Sequence, residues 1–151
     1  MVELYSKVQE KFTPEMQPQY FYSARELSRW VRGLYEATVQ MDGLTLNELV
    51  RIWAHEAQRL FCDRLVEREE KEWCFKTIDN VARKCFAGVD HDEVLGQQLF
   101  YSKWLSKDTH RVSKEEIKEF LSARLRVFYE EDLDVHLVIF DEVLDHILRV
   151  G

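Results

Sequence analysis

The sequence is poor in the residues that break regular structure. It contains 5 glycines and 2 prolines in 151 residues, and both prolines, Pro14 and Pro18, lie in one short stretch. Because glycine and proline interrupt helices more strongly than any other residue, their scarcity predicts a chain that is helical over most of its length.

Several other signals are missing as well. No apolar run approaches the roughly 20 residues that a membrane-spanning helix requires, and the first residues lack the basic and then apolar order of a secretory signal. Acidic residues outnumber basic ones by 28 to 21, which gives a net charge of -7. Since nucleic acid and anionic membranes favour basic surfaces, neither is expected as the main partner. We expect a soluble, intracellular chain.

The three cysteines, Cys62, Cys74 and Cys85, are odd in number and lie within helical patterns. No two of them have the close spacing of a zinc knuckle or a redox dithiol. We therefore expect all three to be buried thiols in a reducing compartment.

Hydrophobic residues make up 46% of the chain, which is enough for a core, and they recur at helical spacing. The sequence predicts an all-α fold in the main. A compact helical unit over residues 1–88 is followed by a smaller unit over residues 89–151, with a short mixed segment and two further helices. The expected helices cover residues 2–12, 23–41, 45–65, 73–86, a stretch after Ser113, and 137–150. Between them we expect an ordered loop at 13–22, turns at 87–93, an extended piece at 99–104 and irregular structure at 129–134.

Three helix starts match the capping box, in which a hydroxyl and a carboxylate three residues later satisfy the first free amides. They are Ser23 to Glu26, Thr45 to Glu48, and Ser113 to Glu116.

No motif in the sequence completes a catalytic or metal site. The pair His55-Glu56 lacks the second histidine of a zinc protease helix, because Arg59 stands four residues after His55. Either Glu56 or Asp63 is expected to form a helix-surface ion pair with Arg59. The acidic run from Asp90 to Glu93 lacks the ligand spacing and glycine of a calcium-binding loop and is interpreted as a solvated turn. No glycine-rich phosphate loop or nucleophile elbow is present. We expect no metal site and no independent enzyme.

Arg25 is the exception to these structural interpretations. If Ser23 caps the helix, Arg25 lies in its first turn, where the helix dipole disfavours a cation. Arg29 and Arg32 follow on the same face, one and two turns later. Such a cluster suits an anion from outside the helix, and a phosphate matches the guanidinium fork best. The alternative is a row of surface arginines whose stems cover apolar surface.

Longer blocks of the sequence resemble the cytoplasmic dynein heavy chain family, in the helical lid of its third AAA+ module and the start of its fourth. They cover almost the whole chain in the order of that family. The blocks are residues 22–33 (YSARELSRWVRG), 51–57 (RIWAHEA), 59–61 (RLF), 63–66 (DRLV), 99–108 (LFYSKWLSKD), 127–131 (VFYEE) and 142–149 (EVLDHILR).

The resemblance implies that residues 1–88 form a AAA+ lid, in which Ser23-Ala24-Arg25 matches the second sensor and Arg25 contacts nucleotide phosphates, with Arg29 in support. It implies that residues 89–151 lead into the fourth module, ahead of its phosphate loop, with Leu137 and Val138 on the adenine side. The family usually has proline in place of Ala24 and of His136.

The resemblance further implies a segment of a microtubule-based motor ATPase that is cytoplasmic and associated with the cytoskeleton. ATP or ADP is expected only in the intact motor, and the partners are adjacent AAA+ modules, with the microtubule reached through the whole motor. The alternative function is a free-standing helical module that binds a protein partner without any nucleotide.

Overall fold

The computed structural model describes residues 1–39, 41, 43–95, 101–102, 110–111, 114–131, 138–139 and 143–144. These residues are mainly helical, as predicted. The elements are α1 (Val2–Lys11), α2 (Ala24–Val39), α3 (Leu46–Ala57) continuing into a π-helical turn π1 (Gln58–Cys62), α4 (Arg68–Cys85), α5 (His91–Leu95), β1 (Tyr101–Ser102), β2 (His110–Arg111) and α6 (Lys114–Glu131). The strands pair antiparallel, with Tyr101 opposite Arg111. The chain divides into two compact units, Met1–Gln98 and Leu99–Gly151.

Two of the expected capping interactions start α2 and α3. The Thr45 hydroxyl accepts from the Glu48 amide at 3.3 Å, and the Glu48 carboxylate accepts from the Thr45 amide at 2.9 Å. At α2 the Ser23 amide donates to Glu26 at 2.8 Å, but the Ser23 hydroxyl accepts from the amide of Arg25 instead of Glu26. The expected cap residue Ser113 lies outside the described residues.

Aromatic side chains form the core of the first unit, between α2, α3 and π1. The ring centre of Trp30 lies 5.1 Å from that of Trp53 and 5.3 Å from that of Phe61. The Trp30 indole donates to the carbonyl of Trp53 at 3.1 Å, so its polar atom is satisfied within the core. Large aromatic surfaces of this kind supply much of the burial that holds small helical domains together.

The loop between α1 and α2 is ordered by its own aromatics, as predicted. Tyr20 and Tyr22 are buried, and Phe12 packs edge-on against both Tyr20 and Trp73. Phe21 departs from the expectation, because 62% of it is exposed.

Several helix bounds differ from those expected. The π-helical turn ends the third helix at Cys62, short of residue 65. Helix α4 begins at Arg68, five residues before the expected start at 73, because its acidic first turn favours a helix N-terminus and the Glu67 amide donates to Glu70 at 3.2 Å. Helix α6 continues through Glu131, where irregular structure was expected. Cys85 is exposed at the end of α4, so the prediction that all three thiols are buried is wrong for this residue.

The expected turn at 87–93 contains the start of α5, which packs in the first unit. Val94 is fully buried, and Glu93 lies 3.3 Å from Arg51 of α3. The ring of His91 is 3.0 Å from the carbonyl of Phe86. These contacts attach α5 to the first unit, which runs from Met1 to Gln98.

In the second unit, Ile117 of α6 and Leu144 are buried against each other, with Leu121 and Ile139 packed beside them. Tyr101 and Ser102 confirm part of the extended piece expected at 99–104. The rest of that piece, and most of the helix expected at 137–150, lie outside the described residues. In the part of the chain that is described, no helix is both long and apolar enough to cross a membrane.

Candidate functional site

Arg25 is the second residue of α2 and points to solvent from the first turn of that helix. Its amide donates to the Ser23 hydroxyl at 3.3 Å, so the backbone at this position belongs to the cap. No side chain among the described residues forms an ion pair with its guanidinium. The structure therefore places an exposed and unbalanced cation where the helix dipole is already positive.

The two arginines that follow on the same face differ from each other. Both Arg29 and Arg32 are exposed. Arg32 is paired with Glu36 at 2.7 Å, one turn further along α2. Within the described ranges Arg25 and Arg29 have no ion-pair partner, whereas Arg32 has one in Glu36.

The carboxylate next to Arg25 is turned inward. Glu26 is only 7% exposed, and its Oε2 accepts from both the amide and the hydroxyl of Ser23 at 2.8 Å. Burial favours the neutral form of Glu26, but these hydrogen bonds and the charge of Arg64 outweigh it, and the pKa of Glu26 is lowered. Glu26 is thus ionised and fully engaged in the cap, and it does not neutralise Arg25.

Arg64, which follows π1, holds the start of α2 in place. Its guanidinium donates to the carbonyl of Phe21 at 2.8 Å, approaches Glu26 at 3.4 Å and lies 4.7 Å from the ring centre of Tyr22. A cation over an aromatic face is attracted by the ring, and here the two groups are partly shielded from water. The sequence analysis did not find this role, because 38 residues separate Arg64 from Glu26.

Tyr22 also holds the start of α2 in place. Its hydroxyl donates to the carbonyl of Phe61 in π1 at 3.0 Å, and its own carbonyl accepts from the Gln9 amide group at 3.0 Å. Burial raises the pKa of Tyr22, so the hydroxyl keeps its proton and its donor role. The backbone that enters α2 is therefore fixed by α1, π1 and Arg64, and this fixes the direction in which Arg25 projects.

Helices α2 and α3 approach closely where Gly33 faces Glu56. A Cβ atom on Gly33 would lie 2.9 Å from the Cδ atom of Glu56 and closer still to its carboxylate oxygen. The Glu56 side chain is 12% exposed and pairs with Arg59 at 2.7 Å and with His55 at 3.6 Å. Burial raises its pKa, but the hydrogen bonds from His55 and Arg59 prevail and lower it. Of the two predicted pairings of Arg59, the one with Glu56 is confirmed, with the Glu56 side chain mostly buried and Arg59 37% exposed.

The other candidate positions have structural roles or belong to the second unit. Asp90 caps α5 by accepting from the amides of Asp92 and Glu93 at 3.1 and 3.2 Å, so the predicted solvated turn is instead a helix start. No group of three or more metal-ligating side chains occurs in the residues that the structure describes. Val138 is 76% exposed and belongs to the second unit, and Leu137 lies outside the described residues.

Comparisons with known proteins agree with a lid. Residues 1–71 match the family model described as the ATPase lid domain of dynein heavy chain. The chain is 59% identical over 150 residues to the cytoplasmic dynein heavy chain of Dictyostelium discoideum and 55% identical over 150 residues to that of Drosophila melanogaster. It is 52% identical over 151 residues to that of Caenorhabditis elegans. Each alignment covers 99% of this chain and 3% of the relative, so the chain spans a small part of the length of these relatives.

Proposed function

We propose that this chain, a dynein heavy chain segment with the ATPase lid domain in residues 1–71, senses nucleotide in a regulatory AAA+ site. The lid passes the state of that site to the neighbouring modules of a microtubule motor. The observation that carries this proposal is Arg25, an exposed cation without a described partner in the first turn of α2.

The electrostatics of the helix start support a phosphate as the missing partner. The free amides in the first turn of a helix and a guanidinium both attract anions. When no anion is present, their positive charges repel each other, which destabilises the helix start. A phosphate oxygen pair matches the fork of Arg25, and Arg29 stands one turn behind it on the same face. Arg25 and Arg29 thus fit the phosphates of ATP or ADP, for which the intact motor supplies the rest of the site.

The anchorage of α2 supports transmission of the nucleotide state as a movement of the whole lid. Glu26, Arg64 and Tyr22 tie the start of this helix to π1 and α1. An anion that draws Arg25 toward a neighbouring subdomain would move α2 together with these elements, because the contacts leave little local freedom. Differential contact between two nucleotide states is what an allosteric signal requires.

The finer assignment belongs to the same proposal. Residues 1–88 represent the lid of the third AAA+ module, and residues 89–151 represent the connector and the beginning of the fourth, with Leu137 and Val138 near its adenine pocket. The chain alone performs no ATP hydrolysis. Its partners are the adjacent AAA+ modules of the same heavy chain in the cytoplasm, and it influences the microtubule only through the intact motor.

Replacement of Arg25 in the full motor tests the sensing role. We expect Arg25→Ala to weaken the coupling between nucleotide at this site and microtubule release by about tenfold, because the phosphate loses its differential contact. Arg25→Lys should recover only part of the coupling, since an ammonium lacks the bidentate fork. The measurement is the microtubule release rate as a function of the nucleotide held at the regulatory site.

Arg32→Ala is the matched control. Arg32 lies on the same helix face but is already paired with Glu36, so its removal should leave the coupling unchanged. Release kinetics that are the same in Arg25→Ala and in the unmodified motor would contradict the proposal.

An exposed apolar stripe on α2 favours a second candidate, a helical module that binds a protein partner. Val31, Tyr35 and Val39 are spaced by four residues and are 52%, 66% and 62% exposed. Calorimetry separates the two functions. Tight binding of a partner helix by the isolated chain, with no loss of affinity in Arg25→Ala, would favour the interaction module over the nucleotide sensor.

A further inference from the structure

Two cysteines that are distant in the sequence meet in the core of the first unit. Cys62 is the last residue of π1 and Cys74 lies in the second turn of α4, twelve positions later. Their sulfur atoms are 2.7 Å apart, and the two residues are 1% and 0% exposed. Cys85 is not part of this cluster and is exposed at the end of α4.

The geometry of the pair is close to that of a covalent bond. A disulfide has sulfur atoms about 2.05 Å apart, so a closure of roughly 0.7 Å would join these two. A change of that size is within the reach of small side-chain rotations, and π1 and α4 already hold the two residues next to each other.

We propose that Cys62 and Cys74 are a redox modification site, at which a reversible disulfide ties the π-helical end of the third helix to α4. The oxidant is a low-molecular-weight disulfide such as oxidised glutathione. One cysteine thiolate attacks it and releases one glutathione thiolate, leaving a mixed disulfide on the protein. The second cysteine thiolate attacks the protein sulfur of that intermediate, forms the Cys62–Cys74 bond and releases the second glutathione thiolate.

The reaction balances without any further reagent. The two protein thiols lose two electrons to the glutathione disulfide, and their two protons end on the two glutathione molecules that leave. Excess reduced glutathione, two molecules per bond, or one molecule of a dithiol runs the same steps in reverse.

Access to the pair depends on local opening, because thiols at this depth are shielded from reagents. The segment between the two cysteines includes the exposed turn residues Asp63, Val66 and Glu67. Exposed turns open at a lower free energy than the helices around them. A π-helical turn is itself an irregularity that is found often at functional sites. Oxidation should therefore proceed slowly in the folded chain, at a rate set by opening of this segment.

The test uses the 151-residue chain with Cys85→Ser, which removes the exposed thiol that would otherwise react first. The folded protein is incubated in glutathione buffers of increasing oxidised fraction, quenched with acid, alkylated, and analysed by intact mass and peptide mapping. We expect a Cys62–Cys74 disulfide with retained helical circular dichroism, a rise in Tm of the order of 10 °C, and full reversal by dithiothreitol.

Cys74→Ser in the same background is the control, and it should give at most a glutathione adduct on Cys62 and no rise in Tm. Peptide mapping of the chain with both cysteines identifies the bond directly, so the test does not depend on the stability of that variant. The proposal is overturned if the folded chain keeps both thiols free under buffers that oxidise the urea-unfolded chain. It is also overturned if the disulfide appears only together with loss of helical signal.

Discussion

Gly33 lies in the middle of α2, where glycine is normally unfavourable by about 1 kcal/mol relative to alanine. The structure supplies the reason for its presence, because the Glu56 carboxylate of α3 occupies the space next to its Cα atom. Glu56 cannot move away freely, since Arg59 holds it at 2.7 Å in a site that is largely closed to water. One glycine thus permits the close approach of α2 and α3 and the placement of the largely buried Glu56 carboxylate between them.

Gly33→Ala should therefore destabilise the chain, although the same change in an open helix would stabilise it. The added methyl group must displace the Glu56 carboxylate from Arg59, and we expect a net loss of roughly 1 kcal/mol in the free energy of unfolding. Urea denaturation followed by circular dichroism measures this difference.

The control for Gly33 is the same substitution in a Glu56→Ala background. There the methyl group has room, so Gly33→Ala should stabilise that variant by up to about 1 kcal/mol. A stabilising effect of equal size in both backgrounds would show that the Glu56 carboxylate yields without cost.

Single residues could be predicted from the sequence where a local pattern identifies them. Arg25 was singled out because Ser23 and Glu26 mark a helix start three residues apart. The structure places it in the first turn of α2, where it is exposed, and its sensing role stays a prediction. Arg64 and the Cys62–Cys74 pair were missed, since their partners are brought together by tertiary packing. The residue spacing within one helix does not indicate which distant residues will contact it in the fold.

At the scale of elements, the start of α3 illustrates how local chemistry fixes a boundary. Thr45 and Glu48 satisfy each other's backbone amides, and this reciprocal arrangement was predicted from the sequence alone. The boundaries that were wrong lack such a signal. Glu67 is an unusual residue at a helix cap, and no local sequence pattern marks the change from α-helix to π-helix after Ala57.

Thr45→Ala should cost the chain about 1 kcal/mol of stability, because the first free amides of α3 lose an acceptor and Glu48 loses a hydroxyl partner. Thr45→Ser keeps the oxygen and should cost much less. The chemical denaturation midpoints of the two variants measure the contribution of the cap. Ser28→Ala of α2 is an exposed control, and we expect it to change stability by less than about 0.5 kcal/mol. Equal losses in the alanine and serine variants would mean that the hydroxyl oxygen has no role.

At the scale of the molecule, the helical class was predicted correctly because few residues interrupt the apolar spacing. The compact units of the structure divide after Gln98. The acidic residues 90–93 suggested a turn, yet they cap α5 and pair it with α3 and α4. A short charged helix that attaches by one buried side chain and the two ion pairs described has no distinct sequence pattern, so the sequence alone could not assign it to the first unit.

The first unit should fold without the second, and the position of its boundary can be measured. Residues 1–98 retain Val94, which fills the core beside α3 and α4, and Glu93, the partner of the largely buried Arg51. Residues 1–88 lack both. Loss of the buried valine and exposure of its site should lower the stability of the shorter chain by at least about 2 kcal/mol.

Urea unfolding of the two chains, with Val94→Ala in residues 1–98 as an intermediate, separates these contributions. We expect cooperative unfolding of residues 1–98, a lower midpoint for Val94→Ala, and the lowest midpoint for residues 1–88. The valine variant should account for only part of the loss, because it keeps the pairing of Glu93 with Arg51 and of Asp92 with Arg83. Equal midpoints for residues 1–88 and 1–98 would instead mean that α5 does not contribute to the stability of the core.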